Sequence, residues 1–171
     1  MKSFIKILGG FVILVISGVA LAFIGARFAD GPIEILAGGP FRTGELQPGP
    51  EPDWSFLADR PTVEFQLEEP ARSRTTFVIV HAGRLFIPSG YMTTWWGRIW
   101  KHWPYDAESN PNALLRVDGK LYERTLRRIE SGSDVAPVLA ELGRKYGGGD
   151  PVPQDALDSG YLWLFELAPR R

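Results

Sequence analysis

The sequence has no cysteine, which removes disulfide bridges, thiolate metal sites and cysteine nucleophiles together. It has only two histidines, His81 and His102, so a histidine-rich metal centre is nearly excluded. There is no glycine-rich phosphate loop, so a phosphate would have to be held by side chains. No nucleophile–base–acid set is evident. Ser89 is followed by a glycine but lacks the G-x-S-x-G context, and a hydrolase is not supported. Nothing in the pattern calls for nucleic acid, and no such partner is expected.

What is present suits one folded domain with an appendage: 171 residues, 44% hydrophobic and 23% charged. The net charge is −1, but it is unevenly spread, −6 over residues 31–71 and +6 over residues 72–128. A basic middle stretch attracts an anionic ligand, or its arginines alternate outward on strands and are merely solvated. Both readings stay open at this point.

Ile7 to Ile24 is an uncharged apolar run of eighteen residues, enough for most of a ~30 Å hydrocarbon core at ~1.5 Å per residue. Lys2 and Lys6 precede it, so the positive-inside rule keeps the N-terminus in the cytoplasm and the rest outside. The expectation is a single-pass anchor in the inner or cytoplasmic membrane, occupying residues 1–29 and meeting lipid through residues 4–26. A cleaved export signal is the main rival. Its A-x-A pattern, Ala20-Leu21-Ala22, lies inside the apolar run rather than after it, and the run is longer than a usual signal core. A buried core helix is the third reading.

Residues 30–53 are rich in glycine and proline and are expected to form a linker leading to a domain over 54–171. Asp53 can cap a short turn over 53–57. Beyond it strand patterns dominate. Thr62–Leu67 alternates apolar and polar, Thr75–His81 is β-branched and aromatic, and Ala82-Gly83 leads into Arg84–Pro88 as a hairpin. Asp118-Gly119 sets a second hairpin between 113–117 and 120–129, and 160–168 is a last strand. Val135, Val138, Leu139, Leu142 and Tyr146 share a helical face over 134–146, stopped by Gly147. A second helix is expected over 94–102, ended by Pro104. The fold class is therefore mainly β: a six-stranded antiparallel barrel with two short helices, preceded by one transmembrane helix.

Four tryptophans, Trp95, Trp96, Trp100 and Trp103, fall within nine residues. On one helix, Trp96, Trp100 and Trp103 would share a face, with Arg98, Lys101 and His102 interleaved. The rings are core bulk, or a wall of a pocket for a flat anionic ligand, or a belt touching lipid headgroups. Either histidine could ligate haem or a metal, but a lone histidine is more often structural.

The run from Arg74 through Thr75, Thr76 and Phe77 to His81, then Gly83 to Ser89, Lys101 before Trp103-Pro104, and Asn110-Pro111 to Tyr122 resembles the pyridoxamine 5′-phosphate oxidase-like, FMN-binding split-barrel superfamily. The resemblance covers about residues 54–130. It implies a split barrel in which Arg74, Thr75, Thr76 and Phe77 line a flavin and Ser89 sits at a strand end. Lys101, with Arg98, would hold the FMN phosphate. It also implies a homodimer, since relatives commonly build the site between subunits. The segment Gly90 to Trp100 departs from the family by its length and its tryptophans. Some relatives bind haem or other flat cofactors and some bind none. The function so implied is a membrane-anchored flavin-dependent oxidoreductase. A haem or flat-ligand binding module, or a structural envelope protein, are the rivals.

Overall fold

The computed structural model describes residues 2–170. It begins with a 25-residue helix, α1 (Lys2–Ala26), followed by a two-residue strand β1 (Glu45–Leu46) and a single 3-10 turn at Ser55–Leu57. Strands β2 (Thr62–Leu67), β3 (Arg72–Phe77), β4 (Ile79–His81) and β5 (Arg84–Ser89) follow. Helices α2 (Trp95–Trp100) and α3 (Trp103–Ser109) precede strands β6 (Asn112–Val117) and β7 (Lys120–Ile129). The chain ends with α4 (Val135–Tyr146), a short α5 (Asp155–Asp158) and β8 (Trp163–Pro169). The mainly β class holds, with eight strands in place of six.

The strands form one sheet in the order β3-β2-β6-β7-β8-β5-β4, all neighbours antiparallel. Only β1 is parallel, pairing Glu45 with Lys120 and Leu46 with Leu121 on β7. The strand expected over 75–81 is longer and is divided. It starts at Arg72 and changes partner at Val78, pairing with β2 before that residue and with β5 after it. Since β3 and β4 stand at opposite ends of the sheet order yet adjoin in the chain, the sheet curls toward a barrel that stays split at Val78.

That split leaves backbone groups without ladder partners, and α4 supplies them. The Val78 N–H donates to the Tyr146 hydroxyl at 3.1 Å, Lys145 Nζ donates to Val78 O at 2.8 Å, and the Tyr146 hydroxyl donates to Pro61 O at 2.7 Å. Burial pushes the Lys145 ammonium below its usual pKa and the Tyr146 phenol above its own, so each serves as a fixed donor where water is scarce.

Two cores lie on the two sides of the sheet. Inside the barrel, Phe65, Leu85, Ile87, Leu115, Phe165 and Leu167 pack with Trp54 and Trp103. Outside, α4 lays Val135, Val138, Leu139 and Leu142 over Ile79, Phe86 and Leu164. Strands β5 and β8 are covered on both faces, which is why Leu85-Phe86-Ile87 and Trp163-Leu164-Phe165 are consecutive buried apolar residues rather than an alternation. Both predicted hairpin turns place two residues at positive φ, Ala82 with Gly83 and Asp118 with Gly119, as two-residue loops between twisted strands require.

The helix expected over 94–102 is two helices. Thr94 caps α2, its Oγ1 accepting from Gly97 N at 3.0 Å, and Lys101 then leaves the helical region. Pro104 has no N–H to continue α2, and instead occupies the first turn of α3, where none is needed. The single aromatic face therefore does not exist. Trp103 belongs to α3 and is buried edge-on against Phe65 at 5.0 Å, Trp95 and Trp96 stay exposed on α2, and the Trp100 side chain lies outside the described residues.

Residues 30–53 lie along the barrel. Gly38 N donates to Ser73 O and Ser73 Oγ to Gly39 O, while the Phe41 N–H donates to Gln66 Oε1. Asp30 accepts from Arg42 N at 2.7 Å and from the Thr43 hydroxyl, and faces Arg116 at 3.1 Å. Glu51 pairs with the buried Arg124 at 2.7 Å. The expected cap is displaced by one residue: Trp54 is the N-cap of the Ser55–Leu57 turn, and Asp53 ahead of it accepts from Ser55 N at 2.9 Å.

Candidate functional site

Cross-strand register decides which side chains of β3 face inward. Opposite residues share a face, and Arg72, Arg74 and Thr76 stand opposite Leu67, Phe65 and Val63, which are core residues. Two arginines thus lie on the interior side of an edge strand. On the other face, Ser73 is taken up by the 38–39 backbone.

These inward residues border a cavity of about 680 Å³, within the ~300–1,000 Å³ usual for ligand sites. Strand β3 contributes Arg72, Arg74, Thr75, Thr76 and Phe77, and the α2–α3 junction contributes Ile99, Lys101, His102 and Trp103. Phe23 and Arg27, at the end of α1, and the stretch Glu34–Ala37 close another side. Four cations, Arg27, Arg72, Arg74 and Lys101, face this space with a single carboxylate, Glu34.

None of the four cations makes an ion pair among the described residues. Burial brings the Arg74 guanidinium down to about 10, opposed by the attraction of Asp106 and assisted by the nearby Arg72 charge. Its one hydrogen bond, to Arg72 O, is long at 3.4 Å. Burial likewise lowers the Lys101 ammonium, whose nearest cation-receptive group is the Tyr91 ring at 5.7 Å. Both are held in a partly dry wall without an ion pair, the desolvation of Arg74 being only partly offset by the attraction of Asp106.

A second cavity of about 670 Å³ behaves differently. Its cations are already paired, Arg116 with Asp30 and Glu64, and Arg60 with Asp118 at 2.7 Å. Asp30 is drawn down to about 2, first by its hydrogen bond from the Arg42 backbone and then by that from Thr43. Arg116 thereby holds the 30–43 segment to β6 and Arg60 holds the β6–β7 turn, so the first cavity is the better candidate.

Of the residues singled out from the sequence, Arg74, Thr75, Thr76, Phe77 and Lys101 stand around the same cavity. Ser89 and Arg98 are outside its lining. Ser89 is buried at the end of β5, its Oγ donating to Met92 Sδ at 3.4 Å, and Arg98 is exposed and reaches back to Thr93 O. Sequence reasoning missed Phe23 and Arg27 as lining residues. Arg27 is the first charge after the apolar run, but only the tertiary fold brings it against β3.

No protein-family description matches the sequence, and no curated protein matches it. Solved structures of similar fold do exist. A conserved hypothetical protein, Rv2991, from Mycobacterium tuberculosis is 11% identical, with a TM-score of 0.47 over 68% of this chain and 77% of that one. The heme storage protein HutZ from Vibrio cholerae is 12% identical, with a TM-score of 0.46 over 68% of this chain and 86% of its own. A putative pyridoxamine 5′-phosphate oxidase from Listeria innocua is 11% identical, with a TM-score of 0.43 over 68% and 90%. All three identities are 11–12% and all three TM-scores lie below 0.5, so what these proteins bind or do is said of them and not of this chain.

Proposed function

We propose that this is a membrane-anchored split-barrel protein that binds FMN in the cavity between β3 and the α2–α3 junction, and that it acts as a flavin-dependent oxidoreductase. The observation that carries this reading is the pair of desolvated cations without ion pairs, Arg74 and Lys101, in one cavity wall with the Trp103 ring. An aromatic wall next to unpaired positive charge suits a flat ligand with an anionic tail. Lys101 and Arg74 hold the phosphate, with Arg72 rather than Arg98 as the further donor in reach. Thr75, Thr76 and Phe77 line the ring. When bound, the flavin would supply hydride or electron transfer, and these side chains fix its position and exclude water.

The test is the absorbance spectrum and FMN titration of the full chain in detergent. Yellow protein, or saturable FMN binding weakened about ten- to a hundredfold by Lys101→Ala, supports the reading, since one charge-assisted hydrogen bond contributes roughly 1.5–3 kcal/mol. Wild-type protein that binds no FMN overturns it, and equal binding by the variant overturns the assignment of Lys101.

One observation favours a second reading. His102 stands in the same lining, exposed and adjacent to Trp103, where it could ligate haem. A haem spectrum that is lost in His102→Ala would select it.

A further inference from the structure

From Phe4 to Ala26, α1 is apolar at a mean hydropathy of 2.7, and no part of its most apolar window is buried. The barrel touches only its end, where Ala26 is buried and Phe23 and Arg27 wall the cavity. Ile99 and Lys101, from α2 and its cap, wall that same cavity. Helix α2 therefore sits within one cavity's width of the last turn of α1, which is where a bilayer crossed by α1 would end.

At that level the chain turns large apolar side chains outward. Trp95 is 76% exposed and Ile99 68%, with Trp96 beside them. Phe28 and Ile35, in the stretch that follows α1, are 69% and 83% exposed. Apart from these, α2 carries Arg98, which is exposed and held only by Thr93 O. Indoles, aliphatic side chains and unpaired cations together match the headgroup layer of a bilayer, where the ring sits among the acyl ends and the cation reaches phosphate.

We propose that α2, with Phe28 and Ile35, lies in the interfacial layer of the membrane and seats the barrel against it. The inference rests on α1 being an uncleaved span. It goes beyond cofactor binding and does not depend on it. A second copy of the chain is the competing occupant. The bilayer is favoured because α1 brings it to this depth, and because the charge exposed on α2 itself, Arg98, is cationic, which suits anionic lipid and repels an identical helix.

Tryptophan emission of the full chain, reconstituted in nanodiscs containing anionic lipid, tests this. Trp54, Trp103 and Trp163 are buried in the barrel and provide a constant background. Bromine placed near the glycerol end of the acyl chains should quench the wild type more than bromine near the methyl end. In the Trp95→Ser/Trp96→Ser variant the shallow-quenchable part should fall by about half or more. The wild-type depth profile decides the matter alone if that variant does not fold. Quenching by aqueous iodide without quenching by brominated lipid overturns the proposal, because the rings then face water. Protection from both overturns it in favour of a protein partner. A chain that fails to float with lipid, or a mature chain without its first ~22–29 residues, shows that the anchor itself is wrong and removes the proposal with it.

Discussion

Arg74 occupies a place that usually belongs to an apolar side chain, opposite Phe65 on the inner side of β3. Its depressed pKa, about 10, means that the charged form is held at a loss in the ligand-free protein. Arg74→Met should therefore leave the unliganded protein as stable as the wild type or more so, by on the order of 1 kcal/mol, while weakening FMN binding. Thermal melting with and without FMN checks both halves. A variant that melts well below the wild type without ligand would show that Arg74 has a structural counter-charge. The chemistry of Arg74-Thr75-Thr76-Phe77 was legible from the family resemblance. The inward direction of Arg74 was not, because Arg72-Ser73-Arg74-Thr75-Thr76 is polar throughout and shows no apolar alternation, and only pairing with β2 settles it. Arg98 shows the converse. One turn ahead of Lys101 on a continuous helix it would have faced the same way, but Lys101 leaves the helix and the two point apart.

The helix α4 is more than a cover for the outer core. Tyr146→Phe keeps the ring stacked on Phe77 at 4.4 Å but removes the hydroxyl that serves Val78 N and Pro61 O. Leaving these groups unpaired should destabilise the protein by about 1–3 kcal/mol, read from urea unfolding. An unchanged midpoint would mean that water replaces the hydroxyl without loss. Elements with local signals were legible: the two hairpins from glycines at their tips, and α4 from its apolar face and terminal glycines. The division of 72–81 was not, since Thr-Thr-Phe-Val-Ile-Val carries no break, and the cause lies in Lys145 and Tyr146, nearly seventy residues away. Pro104 marks a stop in the sequence and is equally a start, the same missing N–H serving both ends.

At the scale of the whole molecule, the apolar run and the β-rich remainder were both plain in composition, and the course of 30–53 along the domain was open to reading, whereas its partners were not, because glycine and proline mark flexible and fitted segments alike. Lys2 and Lys6 ahead of the run give the topology prediction: a reporter fused after Arg171 should be active only outside the cytoplasm. Cytoplasmic activity would invert the orientation. The fit of 30–53 has a further consequence. A Cβ built on Gly38 would stand 1.7 Å from Gly31 O, and one on Gly39 would stand 2.4 Å from Arg27 O, so the backbone just after α1 is pressed against residues 38–39, which are themselves hydrogen-bonded to Ser73 on β3. The attachment is a weld and not a leash. With α1 set in a bilayer, as proposed above, a barrel so attached would lose its tumbling freedom, travel only in the plane of the membrane and present the same edge at every collision. Whatever meets it from solution has half of its orientational search done beforehand.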